Sequence, residues 1–102
     1  MYQLYWAPDS GALAPHIVLE ELGVEYQLSV VDLENSEETS SNYLSVNPRG
    51  QVPALMLDDG TIMTESAAIL LHLAERHPEA ALLPEAASPE RARLYRWLFY
   101  AA

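Results

Sequence analysis

Hydrophobic residues recur with a two-residue period in one stretch near the start of the chain. Residues 24–31 read VEYQLSVV, in which apolar or aromatic positions alternate with polar ones. This alternation predicts a β-strand. The aromatic run YQLYW at residues 2–6 predicts an earlier strand, because the turn formers Ala7-Pro8-Asp9 follow it directly.

Three stretches have the spacing or setting of a helix. Residues 12–22 carry leucine, isoleucine and valine at helical spacing, and Gly23 follows where a left-handed C-terminal cap is expected. A short helix is predicted around Tyr43-Leu44, after a polar and acidic loop. Residues 65–77 predict a longer helix with a broad apolar stripe. The stripe consists of Ile69, Leu70, Leu73 and Ala74.

Two short apolar runs, PALML and TIM, flank Asp58-Asp59-Gly60 and predict a β-hairpin. The predicted order is therefore strand, helix, strand, short helix, strand, strand, helix. A strand–helix–strand unit implies a parallel pair with a right-handed crossover, and the hairpin adds antiparallel strands. The sequence thus predicts an α/β domain with a mixed four-stranded sheet over residues 1–78.

The composition changes after this domain. Residues 79–87 are rich in proline and alanine and are interpreted as a linker. Residues 88–102 begin a helix, with Ser88 as the cap and Pro89 in the first turn. Large apolar residues surround most of this helix, and no stop signal follows them. We therefore expect the chain to be a fragment whose helix starts a truncated, all-helical second domain.

Composition and charge narrow the possible functions. The 102 residues carry a net charge of −10 and contain no cysteine. The lack of cysteine excludes thioredoxin-type redox chemistry and thiolate metal sites. Clustered basic residues are absent, which argues against nucleic acid or an anionic membrane as a partner. No spacing of His, Asp or Glu indicates a metal site. With no signal peptide and no transmembrane run in the sequence, a cytoplasmic location is expected.

Three motifs together resemble the N-terminal domain of bacterial cytosolic glutathione S-transferases. They are YWAPDSGALAPHIVLEELG, NPRGQVPALMLDDG and TESAAILLHLAERH, in that order. The resemblance covers about residues 2–78 and implies a thioredoxin-like fold and glutathione as co-substrate. It also implies attack of the glutathione thiolate on an electrophilic small molecule, with detoxification as the role, and a homodimer.

The resemblance implies a cis bond between Val52 and Pro53, with the backbone of Val52 free to pair with glutathione's cysteinyl unit as an added strand. The alternative is that Pro53 only begins an edge strand. Gln51 is a further candidate for contact with the ligand backbone. Arg49 is a candidate partner for the glycyl carboxylate.

The pair Glu65-Ser66 opens the helix after the hairpin. A helix N-terminus offers free N–H groups and a positive dipole end, so it favours a carboxylate. The resemblance implies that Ser66 binds the γ-glutamyl carboxylate and that Glu65 holds the γ-glutamyl ammonium. The alternative is an ordinary helix start with an acidic residue beside it.

Two residues are candidates for the group that activates the thiol. Relatives with a cysteine resemble SPGACSLAPHI here, whereas this chain reads APDSGALAPHI, so Gly11 stands where that cysteine would be. Ser10 is the nearest hydroxyl and Tyr5 is the runner-up, although Ser10 is equally well explained as a helix cap. The departure at Gly11 keeps open a second hypothesis, a non-catalytic binding or interaction module.

Overall fold

The structure, a computed structural model, describes residues 1–101. Its strands are β1 (Tyr2–Trp6), β2 (Tyr26–Val30), β3 (Ala54–Met56) and β4 (Ile62–Thr64). Its α-helices are α1 (Leu13–Leu22), α2 (Ser41–Leu44), α3 (Ser66–Arg76) and α4 (Pro89–Ala101). Short 3-10 turns lie at Leu33–Asn35, Glu37–Thr39 and Pro78–Ala80.

The four strands form one mixed sheet in the order β2-β1-β3-β4. Strand β1 is parallel to β2 and antiparallel to β3, and β3 is antiparallel to β4. Leu4 is the centre of this arrangement, since it pairs with Leu28 on one side and Leu55 on the other. The predicted thioredoxin-like fold with a mixed four-stranded sheet is confirmed.

The core lies between the sheet and helices α1 and α3. Leu4 and Leu55 come from the two central strands, Leu19 from α1, and Ile69 and Leu73 from α3; all five are fully buried. Burying one such side chain stabilises the fold by about 1.5–3 kcal/mol. The helical stripe of α3 therefore packs directly on the strands that lead into the candidate site.

Local signals at the ends of elements act as the sequence predicts. Gly23 has φ 67° and ends α1, with its N–H donated to the carbonyl of Glu20. At the hairpin, the N–H of Leu57 donates to the carbonyl of Thr61 at 2.8 Å, and Gly60 takes φ 88°. The hairpin turn thereby sets where β4 ends and α3 begins.

Strand β2 is more exposed than its alternating pattern would imply for a buried face. Tyr26 packs partly against the core, but Leu28 is 40% exposed and Val30 is 61% exposed. The reason is the position of β2, which is the outermost strand and has a single neighbour, β1. The pattern predicts the strand correctly, but it does not reveal which end of the strand is covered.

Arg91, in the first turn of α4, ties this helix to the preceding residues. Arg91 donates to the carbonyl of Pro84 at 2.9 Å and to the carboxylate of Glu75 at 3.2 Å. Ser88 caps this helix by accepting from the N–H of Arg91 at 3.0 Å, as predicted. Residue 102, the last of the predicted helix, lies outside the described residues.

Two aromatic side chains in the second half of α4 are largely exposed. Trp97 is 56% exposed and Phe99 is 72% exposed. Residues 1–87 therefore leave more than half of each of these two side chains exposed. No helix within residues 1–101 combines the length and apolar character needed to cross a bilayer.

Candidate functional site

Three separate segments meet at one end of the sheet. The hydroxyl of Ser66, the first residue of α3, donates to the carbonyl of Gly11 in the loop between β1 and α1 at 2.8 Å. A Cβ atom placed on Gly11 would lie 3.1 Å from the Ser66 Oγ and 3.5 Å from the Pro53 Cδ. The loop, the proline and the helix start are thus in direct contact.

Val52 lies beside this contact and just before β3. The Val52–Pro53 peptide bond is cis, and β3 begins at Ala54. In residues 1–101, no turn, loop or side-chain hydrogen bond uses the N–H or carbonyl of Val52. An extended peptide that pairs with this residue would use backbone groups left over from the sheet.

Two buried side chains fix the backbone carbonyl of Gln51, the residue before Val52. The carbonyl of Gln51 accepts from the Tyr43 hydroxyl at 2.6 Å and from the Asn47 amide at 2.8 Å. Tyr43 is only 5% exposed and Asn47 only 3% exposed. Burial raises the pKa of Tyr43 above its ordinary value, because the charged form would lose its hydration.

Sequence reasoning gave Tyr43 and Asn47 no role in the site. The available signal was the turn-forming run Asn47-Pro48-Arg49-Gly50, which reverses the chain between α2 and β3. Such a reversal returns residue 51 toward α2. The pairing of Tyr43 with Gln51, however, needs three-dimensional contact and leaves no periodic mark in the sequence.

Glu65 has an unfavourable backbone conformation at the start of α3. Its φ is 72° and its ψ is 114°, and its exposed side chain forms no cap hydrogen bond. Ser36 and Ala81 also have positive φ, but both lie in the left-handed helical region. A non-glycine residue held in a sparsely populated conformation costs about 1–3 kcal/mol and is a common mark of a functional site.

The start of α3 has the chemistry of an anion site. The first N–H groups of a helix have no partner within the helix, and the dipole end there is positive. Ser66 stands at the first position, and the first helical bond joins the Ile69 N–H to the Glu65 carbonyl at 3.0 Å. A carboxylate beside Ser66 would therefore meet free donors, with the Glu65 carboxylate next to it for a cation.

Ser10 uses its hydroxyl within its own loop. The hydroxyl donates to the Ala7 carbonyl at 2.7 Å and accepts from the Ala12 N–H at 3.2 Å. It thereby stabilises the turn that enters α1. To donate to a thiolate instead, the Ser10 hydroxyl would have to leave Ala7.

Tyr5 lies near the end of β1 and on the other face from Leu4. Its ring packs edge-on against the ring of Tyr43, with centroids 5.7 Å apart. In the described residues its hydroxyl makes no hydrogen bond, although the hydroxyls of Tyr2, Tyr26 and Tyr43 all do. The roles predicted for Tyr5 and Ser10 remain predictions.

Arg49 and Gln51 both lie in the turn between α2 and β3, and both side chains are exposed. Within residues 1–101 neither side chain forms a hydrogen bond or an ion pair, so both are open to a ligand. The same residues contain no cluster of three or more His, Asp or Glu arranged to hold a metal ion.

The mixed sheet with its flanking helices, Pro53 before β3 and the helix start at Glu65-Ser66 together define a thioredoxin-like domain. The family model for the glutathione S-transferase N-terminal domain matches residues 12–76. The chain belongs to the glutathione S-transferase family, as the sequence motifs predicted.

Two bacterial proteins illustrate the relationship. Glutathione S-transferase GstA of Escherichia coli O157:H7 is 44% identical over 101 residues, which cover 98% of this chain and 50% of that protein. Glutathione S-transferase GST-4.5 of Xanthomonas campestris is 36% identical over 98 residues, or 96% of this chain and 47% of that protein. The chain thus spans about half the length of the curated relatives it matches.

A solved structure gives the same picture. A glutathione transferase homologue from Sulfitobacter, crystallised with bound glutathione, superposes with a TM-score of 0.92 at 39% identity. The superposition covers 98% of this chain and 48% of that protein. The similarity therefore extends through α4 as well as through the sheet.

Proposed function

We propose that this chain is the glutathione-binding part of a glutathione transferase. The reaction is attack of the glutathione thiolate on an electrophilic small molecule. The observation that carries the proposal is the combination at one end of the sheet: an unused Val52 backbone, and a Glu65 held in an unfavourable conformation at the start of α3. The glutathione bound in the Sulfitobacter homologue supports the same ligand here.

In the proposed complex, the cysteinyl unit of glutathione pairs with Val52 as a short antiparallel strand. The γ-glutamyl carboxylate lies at the N–H of Ser66, and the γ-glutamyl ammonium at the carboxylate of Glu65. The Ser66 hydroxyl donates to the Gly11 carbonyl without ligand, so it must turn if it also binds the carboxylate. Gln51 contacts the backbone of glutathione in this complex, and Arg49 pairs with its glycyl carboxylate.

Activation of the thiol needs a donor that stabilises the thiolate more than the thiol. Free thiols have a pKa of about 8.5, so only a few per cent is ionised at neutral pH. We propose Tyr5 and Ser10 as the candidate donors. Tyr5 has a free hydroxyl, whereas Ser10 must first give up its bond to Ala7.

The electrophile, the partner subunit and the location are proposals about the whole protein. We propose that further helices cover the exposed Trp97 and Phe99 on α4 and complete the electrophile site between the two domains. We further propose a cytoplasmic homodimer. The match to relatives of about twice this length supports the additional helices.

Calorimetric titration with glutathione, followed by a transfer assay with a generic aryl halide, tests the proposal on the full-length protein. We expect saturable binding at one site per subunit and turnover above the uncatalysed rate. The absence of glutathione binding would overturn the proposal. Binding without turnover would instead support a non-catalytic module, which Gly11 and the engaged Ser10 hydroxyl favour.

A further inference from the structure

The strongest unassigned feature is the pair of buried donors on the Gln51 carbonyl. The Tyr43 hydroxyl lies 2.6 Å from this oxygen and the Asn47 amide nitrogen lies 2.8 Å from it. The Asn47 side chain is itself fixed, because its Oδ1 accepts from the Arg49 N–H at 3.1 Å. One backbone carbonyl thus holds two almost fully buried side chains from two segments.

The orientation of one peptide group makes this arrangement functional. The Gln51 carbonyl and the Val52 N–H belong to the same peptide unit, and in a trans peptide these two groups point in opposite directions. Two donors that fix the carbonyl toward Tyr43 and Asn47 therefore turn the Val52 N–H away from them. They also polarise the unit, which strengthens the N–H as a donor.

We propose that Tyr43 and Asn47 are positioning residues that orient the Val52 N–H toward the cysteinyl carbonyl of glutathione. The inference rests on the proposed function. Neither side chain touches the ligand; both act through the Gln51–Val52 peptide. We therefore expect the Tyr43 hydroxyl and the Asn47 side-chain amide to contribute to glutathione affinity as well as to folding.

A thermodynamic cycle that combines one substitution in the full-length protein with one change in the ligand tests the positioning role. The variant is Tyr43→Phe, which removes the hydroxyl and keeps the ring that packs on Tyr5. The second ligand is the fluoroalkene isostere of the cysteinyl–glycine amide, which keeps the shape of glutathione and lacks the carbonyl acceptor. Tyr26→Phe is the matched control, because Tyr26 lies on the outermost strand β2 and its hydroxyl bonds His16 of α1, away from Val52.

We expect Tyr43→Phe to lower glutathione affinity about three- to tenfold, and to leave affinity for the isostere nearly unchanged. In NMR spectra, glutathione should move the Val52 amide proton downfield in the wild type, and less so in Tyr43→Phe. Tyr26→Phe should change neither measurement. Asn47→Asp, which removes the amide donor and keeps the Oδ1 acceptor, should repeat the Tyr43→Phe pattern.

Each alternative outcome is distinct. Equal losses for both ligands in Tyr43→Phe would mean that Tyr43 acts through general structure, and would overturn the positioning role while leaving the proposed function intact. An unshifted Val52 amide with normal glutathione binding would overturn both the positioning role and the proposed pairing of Val52 with the ligand, while leaving glutathione as the ligand of the chain. If the wild type does not bind glutathione at all, the proposed function falls and the positioning role falls with it.

Discussion

The two halves of the candidate site are built differently. On the side of Val52 and Glu65, the N–H and carbonyl of Val52 are unpaired within residues 1–101, and two buried donors fix the carbonyl of the preceding residue. Glu65 is held there in an unfavourable backbone conformation. In the loop between β1 and α1, Gly11 has no side chain and the Ser10 hydroxyl bonds its own loop. We therefore expect that binding of glutathione and activation of its thiol can be separated by substitution.

Binding and catalysis place different requirements on the two halves of the site. A peptide-binding edge needs unpaired backbone and a charged end, and these are visible in the protein alone. Thiolate stabilisation needs one donor at the sulfur, and that donor is defined by the position of the ligand. Substitutions in each half can therefore be tested separately.

Replacing the acidic side chain at the helix start should produce the largest loss. Glu65→Ala should weaken glutathione binding by about 1.5–3 kcal/mol, the range for a hydrogen bond to a charged group. Titration calorimetry measures this directly. Glu25→Ala, which removes an exposed acid just before β2, is the control and should bind normally. Equal affinity in Glu65→Ala and the wild type would remove Glu65 from the site.

Glu65→Gly sharpens the same test. Glycine takes positive φ without a steric cost, so this variant should be more stable to urea than Glu65→Ala by about 1 kcal/mol. Its glutathione affinity should nevertheless be as low as that of Glu65→Ala, since both lack the carboxylate. A variant that regained affinity along with stability would show that conformation, and not charge, controls binding.

The thiol donor can be identified by comparing two conservative variants. We expect Tyr5→Phe to raise the pKa of the bound thiol toward the free value of about 8.5. Turnover at neutral pH should fall about tenfold, with little change in glutathione affinity. Thiolate absorbance as a function of pH reports the pKa. If Ser10→Ala produces these changes and Tyr5→Phe does not, Ser10 is the donor despite its bond to Ala7.

A cysteine introduced at Gly11 should react with glutathione bound at the Val52 and Glu65 side of the site. Because Gly11 contacts Ser66 and Pro53, Gly11→Cys should attack oxidised glutathione, forming a mixed disulfide and releasing one reduced glutathione. Intact-protein mass spectrometry would detect one added glutathione. Ser10→Cys is the matched control one residue away and should react more slowly. Equal reaction rates would indicate that Gly11 does not face the bound thiol.

The smallest effect concerns alkaline pH. Burial raises the pKa of Tyr43 above its ordinary value of 10.0, with the nearby Tyr5 adding to it and the Asn47 hydrogen bond opposing it. The folded state therefore holds this proton more tightly than the unfolded state. The resulting stabilisation is complete below about pH 10 and is lost as pH rises through the folded-state pKa.

Urea unfolding at several pH values on either side of about pH 10 measures this loss. Tyr43→Phe should flatten the alkaline decline, because it removes one of the titrating groups. Burial and the Asp58 charge also raise the pKa of Tyr2, so Tyr2→Phe is the matching variant outside the candidate site. An alkaline slope unaltered by Tyr43→Phe would argue against a shifted Tyr43 in the folded protein.

Periodicity was sufficient to predict the fold because each element has a pattern of its own. The alternation at residues 24–30, the Asp-Gly turn and the stripe ending at Ala74 each specified one element with its neighbours. The exposure of Val30 was not predictable in the same way. It depends on β2 being the outermost strand, which is a property of the assembled sheet.

The site was predictable only in part, for a similar reason. Glu65-Ser66 and Val52-Pro53 stand at the ends of elements, so the motifs located them. The bond from Tyr43 to the Gln51 carbonyl depends on how a turn closes, and the conformation of Glu65 depends on how β4 meets α3. Neither leaves a periodic signal, because each arises from contacts between segments.

A crystal structure of the full-length protein with glutathione tests the central claim most directly. The account predicts an antiparallel pair between Val52 and the cysteinyl unit, with N···O distances of about 2.7–3.2 Å. It also predicts the γ-glutamyl carboxylate at the Ser66 N–H and the γ-glutamyl ammonium at Glu65. Glutathione bound elsewhere, or bound here with the Val52 backbone unpaired, would contradict it.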